Sequence, residues 1–314
     1  MNWKQVPSSI FMVRPATFTF NIQTAGTNAF QQPVSDCVDV SKSATHEFDV
    51  MVDLLRSNQI DVTVFQDTLS PSKPDALFPN NWISIHESGQ LVLYPMMAPN
   101  RRLERRLDII DSFKSTFEIH EVLDFSGYEE QEIFMEGTGS LIFDHVNRLA
   151  YACRSARTNE MLLTDICKKL GYKAIVFDAV DESGKPIYHT NVMMCVGNEF
   201  SVVCIDSIKT EEDQELVLGK FAETGHQVIA ISYDQMKSFA GNMLEIKNTL
   251  NESVILMSQT AFDSLLPGQL NAISKHCDVL PIAIPTIEAY GGGSIRCMIG
   301  GIHASRRVIN TTQY

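Results

Sequence analysis

One pattern recurs five times along this chain, at intervals of fifty to sixty residues, and it limits the folds available. The spacing of apolar residues predicts an amphipathic helix at 44–58, 101–115, 157–171, 211–225 and 261–276. Each predicted helix leads into a short stretch rich in β-branched residues, such as IDVTVF or KAIVFDA. After a loop, a pair of apolar segments such as WISIHESGQLVLYP surrounds turn residues, which predicts a hairpin. The repeating unit is therefore helix, strand, loop and hairpin.

Five such units predict a closed ring. The fifth hairpin would begin at SIRCMIG, and the strand FMVRP near the start of the chain is its expected partner. Closure would leave no exposed sheet edge. We therefore predict a single α/β domain over residues 1–314, a five-bladed propeller of ββαβ units with pseudo-fivefold symmetry. The alternative is a two-domain doubly wound sheet, but such sheets rarely carry a hairpin after every helix, and no Gly-rich phosphate loop follows a first strand.

Charge argues against a nucleic-acid surface, because the 314 residues carry a formal net charge of -13. The one basic cluster alternates with apolar positions, which predicts the solvent-facing side of a helix. It consists of Arg101, Arg102, Arg105 and Arg106.

The cysteines and the apolar segments favour a location in the cytoplasm. Seven cysteines without framework spacing favour reduced thiols in a cytoplasmic protein. No His or Cys cluster has zinc spacing, so we expect no metal and no cofactor. The first residues lack the layout of a signal peptide, and no apolar run is long enough to span a bilayer.

The loop before each predicted hairpin carries polar residues in a common register. In a cyclic array, equivalent positions lie at equivalent places around the axis, so these side chains should converge at one end of the ring. Taken singly, each has a structural interpretation, such as a turn asparagine, a surface acid or a buried core histidine. The residues are Asn80 and Asn81, Glu136, His189 and Asn191, Gly241 and Asn242, and Cys297.

The last of these loops is glycine-rich: IEAYGGGSIRCMIGGIH has five glycines around Cys297. Glycine allows positive φ and close approach of other groups. The stretch is either a tight hairpin around a buried structural cysteine or the floor of a site with a reachable thiolate. A cysteine, a histidine and a carboxylate together are the parts of nucleophilic catalysis. Arg296 would favour the thiolate only if both side chains pointed the same way, whereas neighbours in a strand usually point apart.

The motifs FPNNW, MEGTGS, CRSARTNE, HTN, GNMLE and GGGSIRCM resemble those of the guanidine-modifying superfamily, the penteins. That superfamily includes arginine deiminase, dimethylarginine dimethylaminohydrolase, arginine:glycine amidinotransferase and succinylarginine dihydrolase. The resemblance covers nearly the whole chain and is greatest to the amidinotransferase or arginine-deiminase-related branch, which includes citrulline-utilisation hydrolases. It implies that Cys297 is the nucleophile, His189 the general acid/base and Glu136 the triad carboxylate. It also implies that Arg157 holds the α-carboxylate of the substrate and that Asn28 is a further ligand.

Three positions depart from the pattern of the deiminases. Asn81 and Asn191 stand where deiminases usually carry aspartates, and Gly139 replaces the aspartate of the usual EGGD. A guanidinium is cationic and offers only N–H donors, so carboxylates suit it. A ureido group is neutral and has a carbonyl acceptor, which an asparagine amide can match. An aspartate facing that oxygen would cost on the order of several kcal/mol.

The sequence therefore predicts a cysteine hydrolase of a ureido or guanidino amino acid, a small-molecule substrate, most simply citrulline cleaved to ornithine, ammonia and carbon dioxide. An arginine or dimethylarginine deiminase or dihydrolase is the alternative, favoured if another acid such as Asp75 reaches the guanidinium. An amidinotransferase comes third, and a non-catalytic binding pentein is the alternative from another class. A homo-oligomer is left open.

Overall fold

The structure of the protein is a computed structural model, and it describes residues 3–32 and 39–308. The strands are β1 (Ser9–Arg14), β2 (Asp61–Gln66), β3 (Ile83–Ile85), β4 (Gln90–Leu93), β5 (Glu121–Asp124), β6 (Ile142–Asp144), β7 (Leu149–Cys153), β8 (Lys173–Phe177), β9 (Met194–Val196), β10 (Phe200–Val203), β11 (Gln227–Ala230), β12 (Leu244–Lys247), β13 (Ser253–Ser258), β14 (Asp278–Ile282) and β15 (Gly300–Ile302). The helices are α1 (Ile22–Ala25), α2 (Val40–Ser57), α3 (Pro99–Arg102), α4 (Leu107–Thr116), α5 (Gly137–Ser140), α6 (Glu160–Leu170), α7 (Glu211–Thr224), α8 (Tyr233–Lys237), α9 (Gln259–Ser264), α10 (Pro267–Ile273) and α11 (Pro285–Gly291).

The strands form mixed sheets that repeat one ladder. Within β6-β7-β8, the first two strands pair antiparallel and the third runs parallel to the second. The same pattern recurs in β9-β10-β11, β12-β13-β14 and β3-β4-β5. A helix links the last two strands of each ladder, as parallel neighbours require. The repeated unit read from the sequence is therefore present in the fold.

The fifth ladder joins the two ends of the described chain. Strand β1 pairs antiparallel with β15, with Ile10 opposite Gly301, and parallel with β2. A single bridge between Ile302 and Ile85 connects this ladder to β3, giving a six-stranded sheet. The predicted pairing is confirmed, but the strand begins later than predicted. Most of SIRCMIG forms a 3₁₀ turn over Ile295–Met298 instead.

Two predicted helices are broken. The 101–115 segment becomes α3 and α4, and Arg101 is buried rather than exposed to solvent. The prediction of a solvated basic face was therefore wrong for Arg101. The 261–276 segment becomes α9 and α10, because Pro267 has no N–H group and starts a new helix. The other three helices lie within a few residues of their predicted bounds.

Each helix buries one face against its sheet. Phe48, Met51 and Leu55 of α2 lie in one core cluster with Ile10 and Met12 of β1. Asn159 caps α6 by accepting the Leu162 N–H group, so the helix begins after Arg157, which stays in the preceding loop. None of the helices in the described ranges is both long and apolar enough to cross a membrane.

One cavity touches a strand of every unit. We call it the central cavity, and β3, β6, β9, β12 and β15 all line it. The loops that precede these strands contact one another. Asn242 donates to the Asn191 carbonyl at 2.9 Å, and Thr138 donates to the Asn80 carbonyl at 3.2 Å. The fold is α/β with mixed sheets, and the arrangement of the units as five blades stays a prediction.

Candidate active site

Cys297 lies at a second, small cavity, which we call the cysteine cavity. Its thiol belongs to the 3₁₀ turn at Ile295–Met298, and Gly291, Gly292 and Gly293 line the same cavity. Gly292 has φ +59°, and a Cβ there would lie 2.6 Å from the Gln31 nitrogen. The glycines thus let the chain turn tightly beside the sulfur.

Two asparagines contact the Cys297 sulfur. Asn191 donates its Nδ2 group to Sγ at 3.4 Å, and Asn242 donates at 3.3 Å. Both side chains are buried. The sulfur therefore lies between two amide groups that can donate hydrogen bonds to it. Asn242 was recognised only as a member of the common register, and its contact with the sulfur was not predicted.

His189 and Glu136 form a buried pair. His189 Nε2 lies 2.8 Å from Glu136 Oε2, and Glu136 Oε1 accepts the Met97 N–H group at 3.0 Å. Burial would raise the pKa of Glu136, but Arg157, the hydrogen bond with His189 and Arg101 together hold it well below its usual range. Burial lowers the pKa of His189 to about 4, although the Glu136 carboxylate acts in the opposite direction. His189 is therefore neutral at pH 7 and able to accept a proton.

Gly139 lies between this pair and Asn81. A Cβ at Gly139 would lie 2.7 Å from His189 Nδ1 and 2.4 Å from Asn81 Nδ2. No side chain fits at this position without moving one of them. A residue other than glycine at position 139 would therefore disturb Asn81 or His189.

Arg157 is engaged by the protein on several sides. Its Nη1 group lies 3.4 Å from Glu136 Oε2, and its Nε and Nη2 groups donate to Thr27 Oγ1. Nη2 also donates to the Thr24 carbonyl at 3.1 Å, and the guanidinium lies 4.9 Å from the centre of the Tyr188 ring. Arg157 lines the cysteine cavity, and its contact with a substrate carboxylate stays a prediction.

A second buried arginine, Arg101, holds Asn81. Arg101 Nη1 donates to Asn81 Oδ1 at 2.7 Å, and its Nε and Nη2 groups bind Glu104 at 2.9 Å. Because a guanidinium has only donors, the Asn81 oxygen must face it. Asn81 Nδ2 is left buried without a partner in the described residues. Arg101 is not among the predicted site residues, because only the break in the predicted helix turns its side chain inward.

Asn28 and Asp75 also line the cysteine cavity. Asn28 Nδ2 donates to the carbonyls of Gly291 and Gly292 at 3.2 Å, so its amide holds the glycine loop in place. Asp75 Oδ2 accepts from Asn21 Nδ2 at 2.7 Å, whereas Oδ1 is buried without a partner among the described residues. Burial raises the pKa of Asp75, and Arg101 opposes that shift. The structure thus brings Asp75 into the cysteine cavity.

The predicted residues come together. Cys297, His189, Asn81, Arg157 and Asn28 line the cysteine cavity. Glu136 bonds to His189, and Asn191 contacts the sulfur. Over the described ranges, no group of three or more His, Cys, Asp or Glu side chains could hold a metal ion. A nucleophile, a neutral base and a buried acid around one small polar cavity can support covalent acyl- or amidino-type transfer.

Known structures with this fold include three arginine-related enzymes. ArgZ, an arginine dihydrolase from the ornithine-ammonia cycle in cyanobacteria, is 14% identical, with a TM-score of 0.73, 96% of this chain and 41% of that chain covered. A mutant of AgrE in complex with L-arginine is 15% identical, with a TM-score of 0.73 and the same coverage. A dimethylarginine dimethylaminohydrolase mutant, solved as an adduct with S-methyl-L-thiocitrulline, is 14% identical, with a TM-score of 0.65, 94% of this chain and 100% of that chain covered. This chain spans about two fifths of the ArgZ and AgrE chains.

Sequence comparison adds a family. No curated protein matches the sequence. The family model described as N,N dimethylarginine dimethylhydrolase, eukaryotic, matches residues 14–304, which is nearly the whole chain. The chain therefore belongs to the N,N-dimethylarginine dimethylhydrolase family, a family of C–N hydrolases of guanidino compounds within the pentein superfamily.

Proposed function

We propose that the protein hydrolyses the ureido group of citrulline or a close analogue, giving ornithine, ammonia and carbon dioxide. The observation that carries this proposal is that two asparagine amides each have one buried group without a hydrogen-bond partner in the described residues. Asn81 Nδ2 is a buried donor without a partner in the described chain, and Asn191 Oδ1 is a buried acceptor in the same condition. A ureido group needs one donor for its oxygen and acceptors for its N–H groups. Two carboxylates at these positions would suit a guanidinium instead.

The chemistry would proceed in two steps. His189 would first accept the proton of the Cys297 thiol, and the resulting thiolate would attack the ureido carbon. The protonated His189 would then give this proton to the departing nitrogen as the C–N bond breaks. His189, held by Glu136, then removes a proton from water, which cleaves the S–C bond of the thiocarbamate adduct. The carbamic acid or carbamate released decomposes to carbon dioxide and an amine. Arg157 would hold the α-carboxylate, and Asn28 would keep the glycine loop open to the substrate.

A second candidate is an arginine dihydrolase, and Asp75 favours it. Its Oδ1 atom is buried in the cysteine cavity without a partner in the described residues, so a cationic guanidinium could bind there. The ArgZ and AgrE folds, described for an arginine dihydrolase and an L-arginine complex, also favour it. On this route arginine would pass through citrulline to ornithine. Dimethylarginine is the corresponding substrate for the matched family.

The test supplies purified protein with L-citrulline, L-arginine and N,N-dimethylarginine in separate reactions. Ornithine, citrulline and ammonia are measured, with Cys297→Ala as the control. Ornithine from citrulline, absent in the variant, supports the first proposal. Ornithine from both citrulline and arginine supports the dihydrolase, whereas citrulline accumulating without ornithine contradicts both.

A binding protein without catalysis is tested by thiol reactivity. Burial raises the pKa of the thiols of Cys153, Cys167, Cys195, Cys204 and Cys277, so these should react slowly. We expect iodoacetamide to modify Cys297 before these five, and citrulline to protect it. Equal rates at all six would favour a protein that only binds.

We also propose that the five units surround one axis as a five-bladed propeller. The central cavity supports this, because one strand of each unit lines it. A crystal structure in which the five units share no axis would contradict the arrangement.

A further inference from the structure

The central cavity contains charged and polar side chains that the proposed chemistry does not use. Arg296, Glu245 and three histidines, His86, His145 and His303, line it. These side chains come from different units and meet only in the folded chain. The cavity is therefore a polar site separate from the cysteine cavity.

Arg296 has no carboxylate partner in the described chain. Its Nη1 group donates to the Ile299 carbonyl at 3.0 Å, which leaves most of its N–H groups without protein acceptors among the described residues. Burial lowers the pKa of Arg296 to about 10, although the Cys297 and Cys195 thiols act in the opposite direction. A guanidinium with low solvation and free donors is an anion site.

The histidines add neutral donors. His86 is buried; its Nε2 atom lies 2.8 Å from Ser84 Oγ, and its Nδ1 atom has no partner in the described residues. The rings of His145 and His303 lie 4.0 Å apart between centres. Burial lowers the pKa of His86 to about 3 and of His303 to about 4, so both are neutral at pH 7. Neutral imidazoles can donate N–H groups to an anion without needing counter-charges.

Glu245 does not neutralise this arrangement. It is the one carboxylate among the described lining residues, and its Oε2 atom accepts the Asn198 N–H group at 2.7 Å. That oxygen is directed at the turn between β9 and β10. No ion pair joins Glu245 to Arg296 in the described residues, and the one side-chain hydrogen bond of Arg296 there goes to the Ile299 carbonyl.

We propose that the central cavity binds a small oxyanion, such as phosphate or bicarbonate, between Arg296 and the histidines. The site lies directly behind the cysteine cavity. Arg296 precedes Cys297, Met243 follows Asn242, and Thr138 precedes Gly139; the first member of each pair lines the central cavity, and the second contacts or lines the cysteine cavity. An anion at Arg296 would thus lie one residue from the thiol and reduce the positive charge near it.

The test titrates inorganic phosphate into the full chain by isothermal calorimetry at constant ionic strength. Before titration, Cys297 is alkylated with iodoacetamide, so that phosphate cannot use the cysteine cavity. We expect saturable binding with one site, weakened roughly tenfold or more in Arg296→Gln because the charge-assisted hydrogen bonds are lost. His303→Gln, a milder change, should weaken binding severalfold if Arg296→Gln fails to fold.

A second readout tests coupling between the cavities. In the unmodified protein, phosphate should slow the alkylation of Cys297 with the same saturation as the calorimetric isotherm, and Arg296→Gln should remove this dependence. Bicarbonate is titrated in parallel to identify the preferred oxyanion. Absence of binding, binding that disappears on alkylation, or equal binding in both variants and the native protein would each overturn the proposal. None of these outcomes depends on turnover, so the proposed function is tested separately.

Discussion

The two cavities each have an arginine, and the two arginines differ in whether carboxylates pair with them. Arg101, at the cysteine cavity, binds both oxygens of Glu104, the Asn81 amide and the Phe78 carbonyl, and lies 3.8 Å from Asp75. Arg296, at the central cavity, binds one carbonyl and no carboxylate in the described chain. Both are held near the Cys297 turn, but only the first is part of an ionic network.

This contrast predicts which substitutions will have large effects. At the cysteine cavity Arg101 and Arg157 both lie beside buried carboxylates, so removing either arginine leaves a buried charge unpaired. In the central cavity the histidines are neutral and Arg296 is half-buried. Removing the charge of Arg296 therefore leaves no opposite charge without a partner. We therefore expect substitutions at the cysteine cavity to have large effects on activity. Substitutions at the central cavity should have smaller effects, on ligand binding or on the pH dependence.

The largest expected effect comes from Glu136→Gln. Loss of the carboxylate removes the group that orients His189 and stabilises its protonated form, so kcat/KM should fall on the order of 10³-fold. Steady-state kinetics with the best substrate measures it. Glu245→Gln is the matched control in the central cavity and should change kcat/KM by less than about threefold. Similar losses in both variants would remove the distinction between the cavities.

A comparison of the two arginines comes next. Arg101→Met leaves Glu104 and Asp75 without a cation, so the free energy of unfolding should fall by about 3–5 kcal/mol. Burial already raises the pKa of Glu104 to about 7 against the opposing effect of Arg101, so protonation of Glu104 should soften this loss at acidic pH. Arg296→Met should change stability by less than about 1 kcal/mol. Urea unfolding measures both, and an equal cost would show that Arg296 has an ionic partner.

Part of the acid sensitivity should arise in the central cavity. The pKa of His86 is lowered to about 3 from the usual 6.5, so the unfolded chain binds a proton before the folded chain does. The free energy of unfolding should therefore fall as the pH decreases through this window and be fully present above it. His86→Gln should reduce the loss between about pH 7 and pH 4 by roughly 3 kcal/mol. Exposed His120→Gln is the control, and an unchanged slope in His86→Gln would contradict this assignment.

The smallest effect concerns substrate choice. Asn81→Asp places a carboxylate that Arg101 can still pair, and its second oxygen would favour a guanidinium. The ratio of kcat/KM for arginine to that for citrulline should rise about tenfold. Asn81→Ala should lower both values without changing the ratio much. If Asn81→Asp leaves the ratio unchanged, Asn81 does not face the reacting group.

Much of this molecule follows from local patterns in the sequence. The repeated helix, strand and hairpin are each signalled by residues within one segment, and the common register of the loops points to Glu136, His189, Asn191 and Cys297 together. Their placement around one site was predicted because equivalent residues of a repeat lie at equivalent places in the fold. The pairing of β1 with β15 follows from the same repeat.

Side-chain contacts between residues far apart in sequence appear only in the tertiary structure. Arg101 turns inward because its helix breaks and because Asn81, Glu104 and Asp75 offer acceptors, which periodicity cannot show. The same contact determines which atom of the Asn81 amide stays free for a substrate. Arg296 and Cys297, adjacent in sequence, line different cavities, and a 3₁₀ turn holds them there instead of the predicted strand. Sequence pattern therefore places the site residues, whereas side-chain direction and charge pairing arise only from packing between the units.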